Sequence, residues 1–242
     1  MRQTTFENTA ERIARRALPC FLTSLIMSLL ILPAFAADKE KDEDTLRQAN
    51  IVLQDMLNGN SISPAVLAKA DCVVILPGVK KFGLGVGGSG GRGPMLCRTG
   101  ASFSGKWSAP AMYSMGGASL GLQVGGSSSD FVLLLMDQKV VNQFLNGKTK
   151  MGADATAAAG PGATAAGPVD NADILTYGRA KGLFAGVSLG SATLEPDSDA
   201  NLRLYGKQLS ASDIVRSNNV KAPAGGESLV SLLNSKIAKH SN

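Results

Sequence analysis

The sequence predicts an α+β fold, with a strongly bent, glycine-rich antiparallel sheet or a partly closed barrel and a few peripheral helices. Of its 242 residues, 44% are hydrophobic and 18% are charged, which is enough apolar material for a folded core. Short apolar segments between Asp71 and Gly126 are punctuated by glycine and serine, as strands are. All 28 glycines follow residue 36, at about double the roughly 7% average, and glycine inside strands is typical of bulges and bends.

The N-terminus is predicted to be a secretory signal peptide that is cleaved after Ala36. Arginines precede an uncharged run whose apolar centre is Phe21–Leu32, and Ala34-x-Ala36 follows it as a small-x-small cleavage pattern. The alternative is a membrane anchor, but the apolar centre is shorter than the roughly 20 residues that a spanning helix needs. Export predicts a periplasmic or cell-envelope protein. Without residues 1–36 the net charge falls from +5 to +3.

Helices are predicted on both sides of the sheet region. The charged run Asp38–Asp44 is interpreted as a solvated start, with Asp44 or Thr45 capping an amphipathic helix that ends at Asn58-Gly59-Asn60. Further helices are predicted from Pro64 to Ala70, from Asp137 to Asn146, around Leu202–Arg216 and, using Leu229, Leu232, Leu233 and Ile237, in the tail. The predicted organisation is 1–36 signal peptide, 37–60 charged start and helix, 61–217 main domain, and 218–242 linker and amphipathic tail.

Strands are predicted where β-branched residues form short apolar runs. Cys72–Leu76 is such a run, and Pro77-Gly78 is interpreted as closing it. Phe131–Met136 and the segment Ile174–Leu194 have the same character. The small-residue segment Met151–Val169 is either a flexible linker or a set of close-packed strands.

Two cysteines follow the predicted signal peptide, Cys72 and Cys97. In an oxidising compartment they can form a disulfide. The alternative is two small buried apolar residues, and spacing alone does not decide between them.

Two G-x-S-x-G matches raise the question of a serine hydrolase that uses Ser119 or Ser188. A nucleophilic serine needs an adjacent base, and His240 near the C-terminus is the only histidine. The sequence after each serine indicates strand and turn, whereas a nucleophile elbow leads into a helix. We therefore predict that the protein is not an enzyme and has no catalytic residues, and keep the hydrolase as a distant alternative.

The sequence contains partial matches to cofactor-binding and metal-binding motifs, but the residues around each match do not fit the site. Gly83-x-Gly85-x-x-Gly88 continues into a Gly/Pro-rich segment that cannot open a helix, and Gly100–Lys106 is followed by Trp107 instead of Ser/Thr. Asp197-x-Asp199-x-Asn201 lacks the glycine and glutamate of a calcium loop and is interpreted as a solvated turn. We predict no cofactor and no metal, and the small net charge argues against nucleic acid as a partner.

A group of cations is the strongest candidate for a binding site. Residues 72–129 contain no acidic side chain, and cations within them stand beside aromatic residues. On a shared face they would attract lipid phosphates, and a tryptophan suits the headgroup boundary. The alternative is an ordinary solvated surface with the tryptophan in the core. The predicted lipid-binding residues are Lys80, Lys81, Arg92, Arg98, Lys106 and Trp107.

Motifs over roughly residues 60–217 together resemble the SYLF domain family. They are Ile62–Pro64, Leu67–Ala70, Val73–Pro77, Lys81–Gly85, Gly105–Pro110, Gly117–Gly125, Asp130–Leu134, Gly152–Asp154, Ala159–Pro161, Tyr177–Gly186 and Val187–Leu189. That family is described as lipid-binding and is also catalogued as an actin-binding domain. The resemblance implies that residues 61–217 form a SYLF-like domain. In relatives, phosphoinositide binding is linked to an N-terminal amphipathic helix and basic residues, and the resemblance implies Leu46–Leu57 as the counterpart of that helix.

The sequence therefore favours an exported, non-enzymatic domain that binds anionic phospholipids or a membrane surface of the bacterial envelope. A structural or protein-interaction module, with an envelope protein as its partner, is the main alternative.

We predict that the exported protein begins at Ala37, because the apolar segment is short and Ala34-x-Ala36 follows it. The intact mass of the exported protein measures this directly. A mass that includes Phe21–Leu32 would make the protein membrane-anchored and would contradict the secreted interpretation.

Overall fold

The computed structural model describes residues 31–84, 86–100, 102–120, 125–151, 157–159, 172–180, 183–184 and 192–236. The chain divides into two units, residues 1–41 and residues 42–242. In the first unit the described residues are helical, and Lys41 Nζ donates a hydrogen bond of 2.9 Å to Asp38 Oδ1. The second unit contains the sheet and its core.

Four of the described helices begin after a residue whose side chain accepts a hydrogen bond from a free backbone N–H group. Asp137 Oδ1 accepts from Lys139 N at 2.7 Å, and Ser210 and Asp213 form a reciprocal capping box. The first start confirms the helix predicted from Asp137, and Ser63 caps the predicted helix that begins at Pro64. The region predicted as helical around Leu202–Arg216 contains two helices, and the second follows the Ser210 cap. The helices are α1 (Ile31–Asn58), α2 (Pro64–Lys69), α3 (Gln138–Asn146), α4 (Ser198–Tyr205), α5 (Ala211–Arg216) and α6 (Glu227–Lys236).

The strands form one mixed sheet, which confirms the predicted α+β fold with a curled, glycine-rich sheet. They are β1 (Cys72–Leu84), β2 (Val86–Cys97), β3 (Ala111–Leu120), β4 (Gly125–Leu135), β5 (Thr149–Lys150), β6 (Ala157–Ala159), β7 (Ile174–Ala180), β8 (Leu183–Phe184) and β9 (Thr193–Pro196). Their order is β5-β9-β3-β2-β1-β4-β7-β6, with β8 paired to β7. The recorded pairs are antiparallel except β6–β7, which is parallel.

The first half of β1 is buried on both faces. Val74 and Leu76 pack with α3 and α5, whereas Val73 and Ile75 pack with α1, α2 and α6. Alternate residues of a strand point to opposite faces, so two helical layers require apolar residues at every position. This explains why the runs in β1 and β4 are continuously apolar instead of alternating.

The prediction that Pro77-Gly78 closes the strand is wrong, because β1 continues through it with a bulge. The register with β4 shifts between Leu76 and Val79, and Gly78 adopts φ +59°. Gly78 N donates to Asp130 Oδ1 at 2.8 Å, which ties the bulge to β4. Beside it on β2, a side chain at Gly93 would collide with the Ile75 carbonyl. The bulge therefore bends the strand without ending it.

The run Asp38–Asp44 is not simply a solvated start, because Asp42 and Glu43 are buried and lie within α1. Asp42 accepts from Arg92 Nη2 at 2.8 Å and from Arg203 Nε at 2.6 Å. Glu43 Oε2 accepts from Gly225 N at 2.5 Å. Because α1 begins at Ile31, neither Asp44 nor Thr45 caps it. These two carboxylates attach α1 to β2, α4 and the turn before α6.

The C-terminal segment packs into the core. Leu229 and Leu233 are fully buried in the cluster that contains Leu53 and Met56 of α1. Asn234 Oδ1 accepts from Trp107 N at 3.0 Å. Ile237, also predicted for this face, lies outside the described residues.

We predict that Asp42→Asn lowers the free energy of unfolding by about 2–4 kcal/mol. Removing one member of a buried ion pair leaves its partner uncompensated and costs about 3–5 kcal/mol, and the partial exposure of Arg92 and Arg203 reduces that figure. Urea unfolding measures the change. Asp44→Asn, at a 58% exposed side chain on the same helix, is the control, with a change within about 0.5 kcal/mol. Equal stability of the two variants would show that the buried pairs do not stabilise the fold.

Candidate functional site

Lys80 and Lys81 occupy successive positions on β1 and therefore leave the sheet on opposite faces. Lys80 is exposed and lines a groove beside α1. Lys81 is half-buried, and its ammonium lies 5.8 Å from the centroid of the Phe131 ring, on the face that α3 covers. The two lysines place positive charge on both sides of one strand instead of forming a single patch.

Arg92 is not an available cation, which corrects its sequence assignment. Its Nη2 lies 2.8 Å from Asp42 Oδ1, and its Nε donates to Asp197 Oδ2 at 2.8 Å. Asp197 also caps α4 by accepting from Ala200 N, so the segment interpreted as a solvated turn is a helix start. The acidic partners lie 50 and 105 residues away in the chain, so the local absence of carboxylates did not reveal them.

Arg98 and Trp107 are buried, so the structure excludes them from a membrane-facing surface. The guanidinium carbon lies 4.8 Å from the indole centroid, and Arg98 Nη2 donates to the Ala68 carbonyl at 3.3 Å. Burial lowers the pKa of Arg98, and the negative charge of Asp71 opposes that shift. This pair is a packed cation–π contact of the interior.

Lys106 is exposed but lies at the other end of the sheet from Lys80. Its carbonyl accepts from Thr99 N, just beyond the last residue of β2, where Cys97 pairs with Cys72. Eight residues of β1 separate Cys72 from Lys80, about 26 Å at 3.3 Å per residue. Lys106 and the two β1 lysines cannot therefore contact one small ligand.

The groove beside Lys80 has a volume of about 630 Å³ and separates α1 from the sheet. Its walls include Gln48 and Ile51 of α1 and Gly90 of β2. At one end Arg179 Nη2 lies 2.8 Å from Asp130 Oδ2, and its Nη1 lies 3.0 Å from Asp55 Oδ2. Hydrogen bonds to Asp130 and Asp55 raise the pKa of Arg179. Sequence reasoning did not identify Arg179, because its partners are distant in the chain.

Phe82 is the most exposed large apolar side chain in the described residues, at 66%. It lies two positions after Lys80 and thus on the same face. It pairs with Gly88 of β2, and a methyl group added there would approach the ring to 3.0 Å. The alternation of β1 could have placed Phe82 beside Lys80, but only the structure shows that the residue is 66% exposed.

We call the strand ends around Phe82 the outer sheet. Its members are residues 80–84 of β1, 86–91 of β2, 116–120 of β3 and 125–129 of β4. They contain glycine, serine, alanine, four large apolar residues and two lysines, with no carboxylate. The outer sheet therefore combines positive charge with exposed apolar surface.

The candidate hydrolase residues are only partly described. Ser119 lies within β3 and pairs with Gly87 of β2. Ser188 and His240 lie outside the described residues. Within the described ranges, no three His, Cys, Asp or Glu side chains are grouped to hold a metal ion.

Cys72 and Cys97 form a disulfide in the structure, which selects one of the two alternatives that the sequence left open. They face each other as register partners where β1 begins and β2 ends. The bond joins the two strands at the end opposite the outer sheet.

No helix in the part of the chain that the structure describes is both long enough and apolar enough to cross a bilayer.

Comparisons with known proteins show one family. A family model named Ysc84, described as "Las17-binding protein actin regulator", matches residues 116–236, half of the chain. The human SH3 domain-containing YSC84-like protein 1 is 35% identical over 189 residues, which cover 76% of this chain and 54% of that protein. Protein YSC84 of Saccharomyces cerevisiae is 34% identical over 183 residues, which cover 72% of this chain and 38% of that protein. The chain spans about half the length of such relatives or less.

We predict that any ester hydrolysis by the purified protein is unchanged in Ser119→Ala and in Ser188→Ala. Removing a true nucleophile lowers the turnover rate by many orders of magnitude, so steady-state assays with activated esters would detect its loss. Hydrolysis by the wild-type protein that disappears in either variant would contradict the non-enzymatic interpretation.

Proposed function

Because this chain belongs to the Ysc84 family, the family that its SYLF-like motifs indicated, we propose that it is a non-enzymatic domain that binds anionic phospholipid surfaces in the cell envelope after export. One observation carries the proposal: exposed Lys80 and Phe82 lie together on an outer sheet that contains no carboxylate.

The charge of the outer sheet suits a membrane of anionic lipid. A lysine near such a surface contributes about 1 kcal/mol, and the attraction falls away beyond a Debye length of about 10 Å at 0.1 M salt. Lys80 is exposed on β1, so its ammonium group is available to a bilayer that meets the end of that strand, whereas the Lys81 ammonium lies against the Phe131 ring. Membrane attraction is therefore expected to be salt-sensitive.

Helix α1 is a weaker candidate for the membrane contact. Its apolar residues Leu46, Leu53 and Met56 are fully buried in the protein core, so they are not available to lipid. Its one cation in the amphipathic stretch, Arg47, lies 3.5 Å from Asp44. These contacts favour the outer sheet over the helix that the family resemblance suggested.

A protein-interaction module of the envelope is the second candidate. The family description names a protein partner for its members, and the groove beside α1 presents Ile51, which is 46% exposed. Such a module would bind its partner without binding vesicles.

We predict that Lys80→Glu combined with Lys81→Glu weakens binding to phosphatidylglycerol-containing vesicles by roughly tenfold or more, most strongly at low salt. The reversal converts two attractive charges into two repulsive ones. Co-sedimentation of the exported protein with anionic and with phosphatidylcholine vesicles measures the effect. All variants carry the same N-terminus, so its contribution cancels.

Lys106→Glu and Arg47→Glu are the matched controls for that experiment. Lys106 lies at the far end of the sheet and Arg47 on α1, so each should change vesicle affinity by much less than the double variant. A dominant effect of Arg47→Glu would make α1 the membrane element. No effect of any charge reversal, with unchanged circular dichroism, would refute electrostatic lipid binding.

A further inference from the structure

We propose that the end of the outer sheet penetrates the bilayer interface, with Phe82 as its anchor. This inference rests on the proposed function and adds the depth and orientation of binding. It follows from where the sheet register places apolar residues, from the exposure of Phe82 and from the position of the lysines.

The register brings the ends of four strands to one edge. Leu84 pairs with Val86, and Val86 pairs in turn with Leu120 of β3. Gly83 pairs with Gly125, which begins β4. The other end of β1 and β2 has the disulfide and the two helical layers, so it cannot face a membrane in the same way.

Along β1 the residues change from charged to aromatic to aliphatic, which is the order of polarity from the headgroups to the acyl chains of a bilayer. Lys80 and Lys81 come first, then Phe82, and the aliphatic positions Leu84 and Val86 stand at the end of the hairpin. Lys80 and Leu84 are about 13 Å apart along the strand at 3.3 Å per residue. With Lys80 at the headgroups, the backbone of β1 is therefore long enough to extend past them by the roughly 5–10 Å that interfacial elements penetrate.

Phe82 has no partner side chain that could shield it on β2. It faces Gly88 there and Gly126 on β4, so both neighbouring positions lack a side chain. Its ring lies over Gly88, where a larger residue would displace it. An aromatic ring that is 66% exposed among glycines suits insertion at the headgroup level.

Charge complementarity selects an anionic bilayer over an acidic or apolar protein surface. The lysines precede the edge of the outer sheet along β1. They therefore suit the plane of lipid phosphates, while the edge itself suits the apolar layer below that plane. Residues 72–129 contain no carboxylate that would be forced into that layer. A carboxylate in the acyl region is costly, so its absence from all four strand ends is what a penetrating edge requires.

The test uses tryptophan as a depth probe in the exported protein. The single native tryptophan, Trp107, is 4% exposed and provides the unresponsive background. In Phe82→Trp, equimolar phosphatidylglycerol and phosphatidylcholine vesicles should shift the emission to the blue, and acyl-chain bromination of those lipids should quench it. Ile51→Trp, at the other exposed large apolar position in the described part of the chain, is the matched control and should respond to neither.

A second variant measures affinity. Phe82→Ser should weaken binding by about tenfold at a salt concentration that suppresses the lysine contribution, because the apolar area that the ring removes from water is lost. Ile51→Ser should change the affinity less than twofold. Both positions are exposed, so both variants retain the core.

The outcomes separate this inference from the proposed function. Vesicle binding that depends on Lys80 and Lys81 without quenching of Phe82→Trp would overturn penetration and leave lipid binding intact. Quenching of Ile51→Trp instead would place α1 against the bilayer and would also overturn it. An absence of vesicle binding by the wild-type protein would overturn both.

Discussion

Burial of β1 on both faces is the constraint on which the rest of the structure depends. Because α3 and α5 cover one face and α1, α2 and α6 the other, every position from Cys72 to Leu76 must be apolar. The strand continues beyond the region that helices cover on both faces, and it bulges at Gly78 where that region ends. Beyond the bulge the same strand carries Lys80, Lys81 and Phe82, so one strand links the core to the candidate site.

Charged residues in the covered half serve the fold. Asp42 binds Arg92 and Arg203, and Arg92 also binds Asp197, so one group of ions joins α1, β2 and α4. Arg98 stacks on Trp107 within the core. Once Arg92 and Arg98 are removed from the candidate surface, the cations that remain on this part of β1 are Lys80, which lines the groove, and half-buried Lys81, on the opposite face of the strand. Under the proposed function, the residues that stabilise the fold differ from those that bind the membrane, which allows stability and binding to be altered separately by mutation.

The outer sheet has few large side chains that could form a packed core. Glycine and serine fill most of its positions, so it gains little stability from side-chain burial and depends on backbone pairing with its neighbours. A surface of this kind leaves the Phe82 ring and the Lys80 side chain exposed. That combination is the physical basis for proposing a membrane surface as its partner, in a family whose description names a protein partner.

The sequence by itself determined the fold class, the helix starts at Pro64 and after Asp137, and the strand identity of the apolar runs, because capping residues, periodicity and β-branched composition act within a few residues. The same local information made Arg92, Arg98 and Trp107 appear to be surface residues and the run Asp38–Asp44 a solvated start. Only the tertiary structure decided otherwise, since the partner Asp42 lies 50 residues from Arg92 and 161 from Arg203. The tertiary structure also shows that Cys72 and Cys97 form a disulfide and that Phe82 is exposed. Burial and ion pairing depend on distances between remote segments, and those distances exist only after the chain has folded.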